Sequence, residues 1–197
     1  ELLNSNLFLT SQKEDLKNTE LFIITVPTPV FKNKNPDLRN LISSMKLICP
    51  YVKKNSIICL ESTVYPGVTE DICVPIIEKR TKLKLNQDFY FGYSPERINP
   101  GDEIHTLSKI TKVISGSNDK SSKLINSIYS KVLNKNVYMA KNIQTAEMAK
   151  VFENIQRDVN IALVNELTII CSKLNLSVSE VLETANTKWN FLNFKPG

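Results

Sequence analysis

The sequence predicts an α/β fold, with a doubly wound, Rossmann-like and mostly parallel sheet, followed by an all-α domain with one long helix. Short apolar, β-rich runs alternate with amphipathic stretches as far as residue 141, which is the pattern of parallel strands joined by crossover helices. Residues 145–174 then contain no Gly or Pro, and their apolar residues recur at helical spacing. At about 1.5 Å per residue this stretch is a helix of roughly 45 Å. We therefore expect residues 1–141 and residues 142–197 to form separate domains.

Each predicted element has its own signal. Pro27 and Pro29 force an extended loop after an apolar run, and Pro36 opens the helix that follows. Ser177, with Glu180 three residues later, forms a capping box at the start of the last helix. Strands are predicted at residues 7–10, 21–26, 56–60, 89–93, 112–115 and 136–140. Helices are predicted at residues 12–18, 36–51, 68–80, 119–131, 145–174 and 178–185.

Composition and charge argue against several classes of function. The net charge of +5 comes from scattered lysines without a basic block, so we expect no nucleic-acid partner. No apolar run reaches the length of a membrane span and no signal peptide is visible, so we expect a cytoplasmic protein without a membrane partner.

Cysteine and histidine usage argues against a metal site. His105 is the only histidine, so neither a zinc site nor a histidine-based triad is expected. The cysteines form no C-x-x-C pair and lie in apolar runs, as buried thiols of a reducing compartment do; they are Cys49, Cys59, Cys73 and Cys171.

Unusual residues follow three consecutive predicted strands. In open α/β sheets, ligands bind outside the carboxyl ends of the strands. Prolines also simply end strands, and hydroxyls commonly cap helices, so each group alone is adequately explained by structure. Three together on one edge predict a cleft; the groups are Pro27-Thr28-Pro29, Glu61-Ser62-Thr63 and Ser94-Pro95-Glu96.

The long helix carries polar residues that interrupt apolar packing. Lys150 and Asn154 are four residues apart and therefore project from one side of the helix. Ala149, Val151 and Phe152 surround them, which predicts an ammonium and an amide at the edge of an apolar surface. A surface helix with ordinary charges remains the alternative when this helix is considered alone.

The motifs taken together resemble a known family. The strings V-P-T-P, P-D-L, E-S-T-V-Y-P-G-V-T-E, Y-S-P-E-R-I-N-P-G-D, A-E-M-A-K-V-F-E-N-I-Q-R-D-V-N-I-A-L-V-N-E-L and K-W-N-F-L-N-F-K-P-G are long and occur in order. They resemble the nucleotide-sugar 6-dehydrogenases of the UDP-glucose/GDP-mannose dehydrogenase family, in the bacterial branch that acts on UDP-N-acetylhexosamines. The resemblance extends from about Leu7 to Gly197.

That resemblance implies a fold, a cofactor and an activity. It implies that residues 1–141 are the later part of an NAD-binding Rossmann domain and that residues 142–197 are a truncated central, dimerising helical domain. The implied reaction is the oxidation of the C6 alcohol of a UDP-N-acetylhexosamine to the uronic acid, in two NAD-dependent steps. The product would enter surface polysaccharide precursors. UDP-glucose, GDP-mannose or a non-catalytic dimerisation scaffold are the alternatives.

The resemblance also implies roles for particular residues, and none of them is a metal ligand. The implied catalytic residues are Thr63, Glu96, Lys150 and Asn154, of which Glu96 acts through water and the last two contact the C6 oxygen. The implied cofactor-binding residues are Val26, Pro27, Thr28, Thr63 and Glu96. The implied substrate-binding residues are Glu96, Arg97, Lys150, Asn154, Phe194, Lys195 and Gly197.

Two motifs of the family have no counterpart in this sequence. The five glycines cannot compose the G-x-G-x-x-G of the first βαβ unit, and the sequence stops before the segment in which the family carries its nucleophilic cysteine. We therefore expect an internal fragment that is inactive alone. Pro100 stands where glucose-type members carry a second glutamate, as in the aminosugar branch.

A homodimer through the long helix is also expected. Ile161, Val164 and Ile169 lie away from the stripe formed by Met148, Phe152, Ile155 and Val159. If that stripe packs on its own domain, the first three residues remain uncovered, and uncovered apolar area marks a partner surface.

Overall fold

A computed structural model describes residues 7–99, 101, 104, 106–133 and 136–195. Gly197, Pro100 and His105, which carry sequence-based expectations, lie outside these residues. The chain divides into two compact units, Glu1–Lys150 and Val151–Gly197. Within the described ranges, no helix has the length and apolarity that crossing a membrane requires.

The first unit is built on one five-stranded sheet. The strands lie in the order β1 (Leu21–Ile24), β2 (Ile57–Leu60), β3 (Tyr90–Tyr93), β4 (Lys112–Gly116) and β5 (Val137–Met139). The first three strands are mutually parallel, and β5 is parallel to β4. The predicted mostly parallel, Rossmann-like sheet is confirmed, and so are these five strands to within two residues at each end.

The fourth strand reverses the direction of the sheet, which the sequence pattern did not predict. β4 pairs with β3 antiparallel, with Gly92 opposite Gly116 and Tyr93 opposite Ser115. A parallel neighbour needs a long crossover that is usually helical. The described residues between 94 and 111 form no helix, so the chain can return directly beside β3.

The helices lie close to their predicted positions. They are α1 (Arg39–Ile48), α2 (Val74–Thr81), α3 (Asp119–Val132), α4 (Ile143–Leu174) and α5 (Val178–Ala185). Short 3-10 turns occupy Lys13–Asn18 and Cys49–Tyr51, and a π-helical segment, Val68–Cys73, leads into α2. The strand predicted at residues 7–10 is wrong: this run is irregular and Phe8 is 74% exposed, because no neighbouring strand pairs with it.

Two apolar clusters cover the two faces of the sheet. Successive strand residues point to opposite faces, so Ile58 joins a large cluster with α1 and α2 whereas Cys59 joins a smaller one with α3. α3 lies very close to the sheet at Gly92, where an added Cβ would lie 2.0 Å from Cδ1 of Ile125. The helix can adopt this position only because β3 has no side chain there.

The second unit contains most of α4, together with α5. Ser177 caps α5, since its hydroxyl accepts a hydrogen bond from the N–H of Glu180 at 3.4 Å, which is one of the two bonds of the predicted capping box. Val164 and Cys171 are buried and, at seven residues apart, share one face of α4.

The expectation about which face of α4 is uncovered is largely wrong. Val164 is only 6% exposed and Ile161 is partly buried, although Ile169 is exposed as expected. The exposed side chains are instead those of the stripe expected to pack: Met148, Phe152, Ile155 and Val159, continued by Leu163. The helix is apolar on two sides, so spacing alone did not identify the packed one.

The four cysteines should be inert in the folded chain. All four are buried and none forms a disulfide. Burial raises the pKa of Cys59 and of Cys73 to about 12, so their reactive thiolate forms are scarce at neutral pH. We expect a chromogenic aromatic disulfide at pH 8 to label no thiol rapidly in the native chain and all four in denaturant. A Ser127→Cys variant, exposed on α3, is the control for reagent activity, and rapid labelling of Cys59 or Cys73 would contradict the burial.

Candidate active-site edge

Three predicted site segments lie side by side at one edge of the sheet. Because β1, β2 and β3 are parallel, with Ile24 beside Leu60 and Leu60 beside Tyr93, the residues that follow each strand emerge together. Thr28, Thr63 and Glu96 therefore follow three neighbouring strands at their carboxyl ends. This is the position at which open α/β sheets bind ligands.

The loops after β1 and β2 are joined by hydrogen bonds. The hydroxyl of Thr28 donates to the carbonyl of Thr63 at 2.6 Å, and the hydroxyl of Ser62 donates to the carbonyl of Val26 at 2.6 Å. The amide of Asn40 in α1 donates to the carbonyl of Pro27 at 3.1 Å. Both loops are thus held in place without a ligand. The hydroxyl proton of Thr28 is used in the hydrogen bond between the two loops.

Glu96 is exposed at the same edge and is oriented by its own backbone. Its Oε1 accepts hydrogen bonds from the N–H groups of Arg97 and Ile98, each at 2.6 Å. Arg97 donates through Nη1 to the carbonyl of Thr111 at 2.8 Å. The carboxylate is therefore held in one orientation at the surface, where water can reach it.

A buried charged cluster lies beneath this edge, and the sequence analysis missed it. Lys112, the first residue of β4, is 2% exposed and its ammonium lies 3.2 Å from a carboxylate oxygen of Glu61. Tyr129 of α3 donates its hydroxyl hydrogen bond to the other oxygen of Glu61, and its ring lies 5.6 Å from the ammonium. Burial raises the pKa of the Tyr129 phenol, so it remains a donor. The available signal was a lysine opening the otherwise apolar run K-V-I-S-G.

Glu147 is a second buried ionisable residue that the sequence analysis did not single out. It is fully buried near the start of α4, and its carboxylate accepts hydrogen bonds from the N–H of Gly67 at 2.7 Å and from the N–H and hydroxyl of Thr69 at 3.0 and 2.6 Å. Burial raises the pKa of Glu147, while these hydrogen bonds act in the opposite direction. The signal was its spacing, since Ile143, Ala146 and Glu147 share the helix face that packs on the core.

Glu147 attaches α4 to the loop that follows Thr63. Gly67 turns this loop with a φ of +98°, a conformation that glycine adopts without strain, and so directs its N–H at the carboxylate. Lys150 lies three residues beyond Glu147 on the same continuous helix and is partly buried. The position of Lys150 therefore depends on the Glu147 contact.

The remaining predicted residues belong to the second unit. Asn154 is partly buried in α4, one helical turn beyond Lys150. Phe194 is partly buried and Lys195 is exposed. Lys195 lines a cavity of about 410 Å³, together with Ser179, Leu182, Glu183, Asn186 and Asn193.

Comparison with known proteins identifies the family. Residues 1–133 match the NAD binding domain of the UDP-glucose/GDP-mannose dehydrogenase family, and residues 144–197 match its central domain. The chain belongs to this family, and the resemblance read from its motifs is confirmed.

Relatives within the family are similar over nearly the whole chain. A UDP-N-acetyl-D-glucosamine 6-dehydrogenase from Pseudomonas aeruginosa is 48% identical over 98% of this chain and 46% of its own length. Protein CapL from Staphylococcus aureus is 50% identical over 100% of this chain and 46% of its own length. A solved UDP-D-ManNAc dehydrogenase from Pyrococcus horikoshii superposes with a TM-score of 0.87 at 34% identity, covering 95% of this chain and 44% of that one. The chain thus spans about half the length of these relatives.

The residues present fit part of an NAD site. The family's cofactor is NAD, and the matched domain is the one that binds it. At the strand ends, Val26 and Pro27 offer apolar surface beside the hydrogen-bonded loops of Thr28 and Thr63. These segments suit one part of the cofactor. The glycine turn on which Rossmann domains bind the pyrophosphate is not among them.

Removing the Glu147 carboxylate should loosen the start of α4. In Glu147→Ala the N–H groups of Gly67 and Thr69 lose a buried acceptor, so we expect the free energy of unfolding to fall by about 2–4 kcal/mol. Urea unfolding followed by circular dichroism measures the loss. Glu166→Ala, which removes an exposed carboxylate from the same helix, should change the midpoint little. Equal midpoints for the two variants would contradict the proposed attachment.

Proposed function

We propose that the complete protein containing this chain oxidises the C6 alcohol of a UDP-N-acetylhexosamine to the uronic acid, in two NAD-dependent hydride transfers. One observation carries the proposal: the buried Glu147 attaches the helix that bears Lys150 to the loop following Thr63, beside the edge that bears Glu96. Relatives named as UDP-N-acetyl-D-glucosamine 6-dehydrogenases, 48% and 49% identical, support this substrate class. The acid would serve the synthesis of surface polysaccharide precursors.

Lys150 and Asn154 would act on the oxygen from which the proton leaves. As a hydride departs from C6, negative charge grows on the attached oxygen. A fixed ammonium and an amide N–H stabilise that charge more strongly in the transition state than in the substrate. NAD, when bound, supplies the hydride acceptor. Thr63, beside the end of β2, would lie near the nicotinamide and an ordered water.

Glu96 would act in the release of the acid. The family resemblance implies an acyl intermediate on a cysteine that is not among residues 1–197. Its hydrolysis needs a carboxylate within one water of the acyl carbon. Glu96 fits this role because its carboxylate is exposed to water and its orientation is held by two backbone N–H groups.

The resemblance also assigns substrate-binding residues near the end of the sequence. Phe194, Lys195 and Gly197 belong to the segment that the resemblance places along the sugar nucleotide. Arg97 would contribute from the strand edge, although its guanidinium binds the carbonyl of Thr111 in this structure.

The test is turnover by the complete protein with NAD and a panel of nucleotide sugars. We expect reduced cofactor to accumulate at two equivalents per sugar with a UDP-N-acetylhexosamine, and much more slowly with UDP-glucose or GDP-mannose. Preference for UDP-glucose or GDP-mannose would show that the protein is a 6-dehydrogenase of that sugar instead. No turnover with any of these nucleotide sugars would favour a non-catalytic dimerisation scaffold.

Lys150→Ala should separate the catalytic role of this lysine from a structural one. We expect kcat to fall by at least about 100-fold, because a preorganised donor at a developing oxyanion has roughly that effect. Lys173→Ala, which removes an exposed lysine from the same helix, is the matched control and should turn over normally. Near-normal kcat in Lys150→Ala with an unchanged melting temperature would exclude the assigned role.

We also propose that the complete protein is a homodimer paired through α4. The support is the exposed apolar stripe along this helix, formed by Met148, Phe152, Ile155, Val159 and Leu163. Contiguous exposed apolar surface of this kind marks a protein interface, and identical chains most often pair about a two-fold axis.

A charge placed on the stripe should prevent this pairing. Val159 is 59% exposed, so Val159→Glu leaves the helix itself intact but puts a carboxylate into the proposed interface. We expect light scattering at micromolar concentration to give a dimer for the native protein and a monomer for the variant. Val132→Glu introduces the same change at a 68% exposed valine of α3 and should remain dimeric. A native monomer, or a dimer in both variants, would disprove pairing through this stripe.

A further inference from the structure

All three donor directions of the buried Lys112 ammonium are used. Its Nζ lies 3.2 Å from the carboxylate of Glu61, and it donates to the carbonyls of Ser94 at 3.2 Å and Pro95 at 3.4 Å. An ammonium has three N–H groups, and these are three acceptors. Two of the acceptors are the backbone carbonyls that come directly before Glu96.

The neighbours of Lys112 hold the same segment. The hydroxyl of Ser94 donates to the carbonyl of Val113 at 2.9 Å, and Arg97 donates to the carbonyl of Thr111 at 2.8 Å. Three consecutive residues, Thr111 before β4 and Lys112 and Val113 at its start, therefore fix the chain on both sides of Glu96. This contact exists because β4 is antiparallel to β3, so that its first residues meet the end of β3.

The buried ion pair of Lys112 adds little to the stability of the fold. A buried ion pair often contributes no more to the free energy of unfolding than well-packed apolar side chains of the same volume, because both charges lose their hydration. Lys112 and Glu61 are both largely buried. An apolar side chain at position 112 would fill the same space but could not donate to two carbonyls.

We propose that Lys112 is a positioning residue for Glu96. Its ammonium, aligned by Glu61 and Tyr129, binds the carbonyls of Ser94 and Pro95 and so fixes the direction in which the Glu96 carboxylate leaves the sheet. The inference rests on the proposed function, in which Glu96 directs water at an acyl carbon. Lys112 is only 2% exposed, so it would act through Glu96 and not by touching substrate or cofactor.

The first measurement does not depend on activity. In the complete protein carrying Lys112→Met, amide hydrogen exchange of the peptide spanning residues 94–98 should accelerate by about 10-fold, because the N–H groups bound to Glu96 open more often. Lys120→Met is the matched control: it removes a lysine that contacts the ring of Tyr90, at the opposite end of β3, and should leave this peptide unchanged. Unchanged exchange in Lys112→Met would overturn the inference.

The second measurement is kinetic. Misplacement of a catalytic group by about 1 Å can cost roughly 100-fold in rate, so we expect Lys112→Met to lower kcat by about that factor. kcat should fall more than kcat/KM, because hydrolysis follows the hydride transfers and an accumulating acyl intermediate lowers KM as well. A normal kcat would overturn the inference. If the native protein itself oxidised no nucleotide sugar, the proposed function would fail, while the exchange measurement would still decide whether Lys112 holds the segment.

A double variant separates positioning from charge balance. Lys112→Met leaves the Glu61 carboxylate buried without its cation, which itself destabilises the fold. Glu61→Gln combined with Lys112→Met removes that unpaired charge and should recover most of the lost melting temperature. Exchange of residues 94–98 and kcat should remain as in the single variant, because the two carbonyls still lack their donor. Recovery of kcat together with stability would show that Lys112 only balances charge and would overturn the proposal.

Discussion

The carboxylate of Glu147 is the contact on which the arrangement of the first unit depends. Burying a carboxylate is costly unless its oxygens are hydrogen-bonded, and here two backbone N–H groups and a hydroxyl serve them. The apolar residues beside it, Ile143 and Ala146, could still pack on the core if the helix were rotated or shifted by a fraction of a turn. The Glu147 hydrogen bonds are directional and would break in such a rotated or shifted helix. These hydrogen bonds therefore fix the orientation of α4 on the core. Because Lys150 lies on the same helix, they also fix its position.

Glu147 and Lys112 make similar contacts with the segments that follow two neighbouring strands. Each is a buried ionisable side chain that binds two backbone groups of the segment after β2 or β3 and one side chain, a hydroxyl for Glu147 and a carboxylate for Lys112. The loops that carry Thr63 and Glu96 are consequently ordered by groups outside any ligand site. In the proposed function, this edge would meet the substrate already arranged, so little reorganisation would remain when charge develops during the reaction.

The sequence predicted the elements and the edge better than it predicted the groups that fix them. Strand and helix positions follow from local periodicity, and parallel strands necessarily bring their carboxyl ends together. The contacts of Lys112 and Glu147 were not predicted because their partners lie tens of residues away along the chain. The residues next to an isolated charge in an apolar run do not indicate what that charge binds. The reversal of β4 was not predicted and the packed side of α4 was predicted wrongly for a related reason, because both depend on which residues lie opposite. The roles of Thr63, Glu96, Lys150 and Asn154 came from family motifs and remain predictions.

The distance along the chain between Glu147 and its partners has a consequence during synthesis. The N–H groups of Gly67 and Thr69 leave the ribosome 80 and 78 residues ahead of the carboxylate that binds them. At about 5–20 residues per second, they wait roughly 4–16 s for it. Over that interval the sheet can pair β1, β2 and β3, but the N–H groups of Gly67 and Thr69 lack their carboxylate acceptor. The nascent domain therefore completes its edge last, when the first turns of α4 emerge.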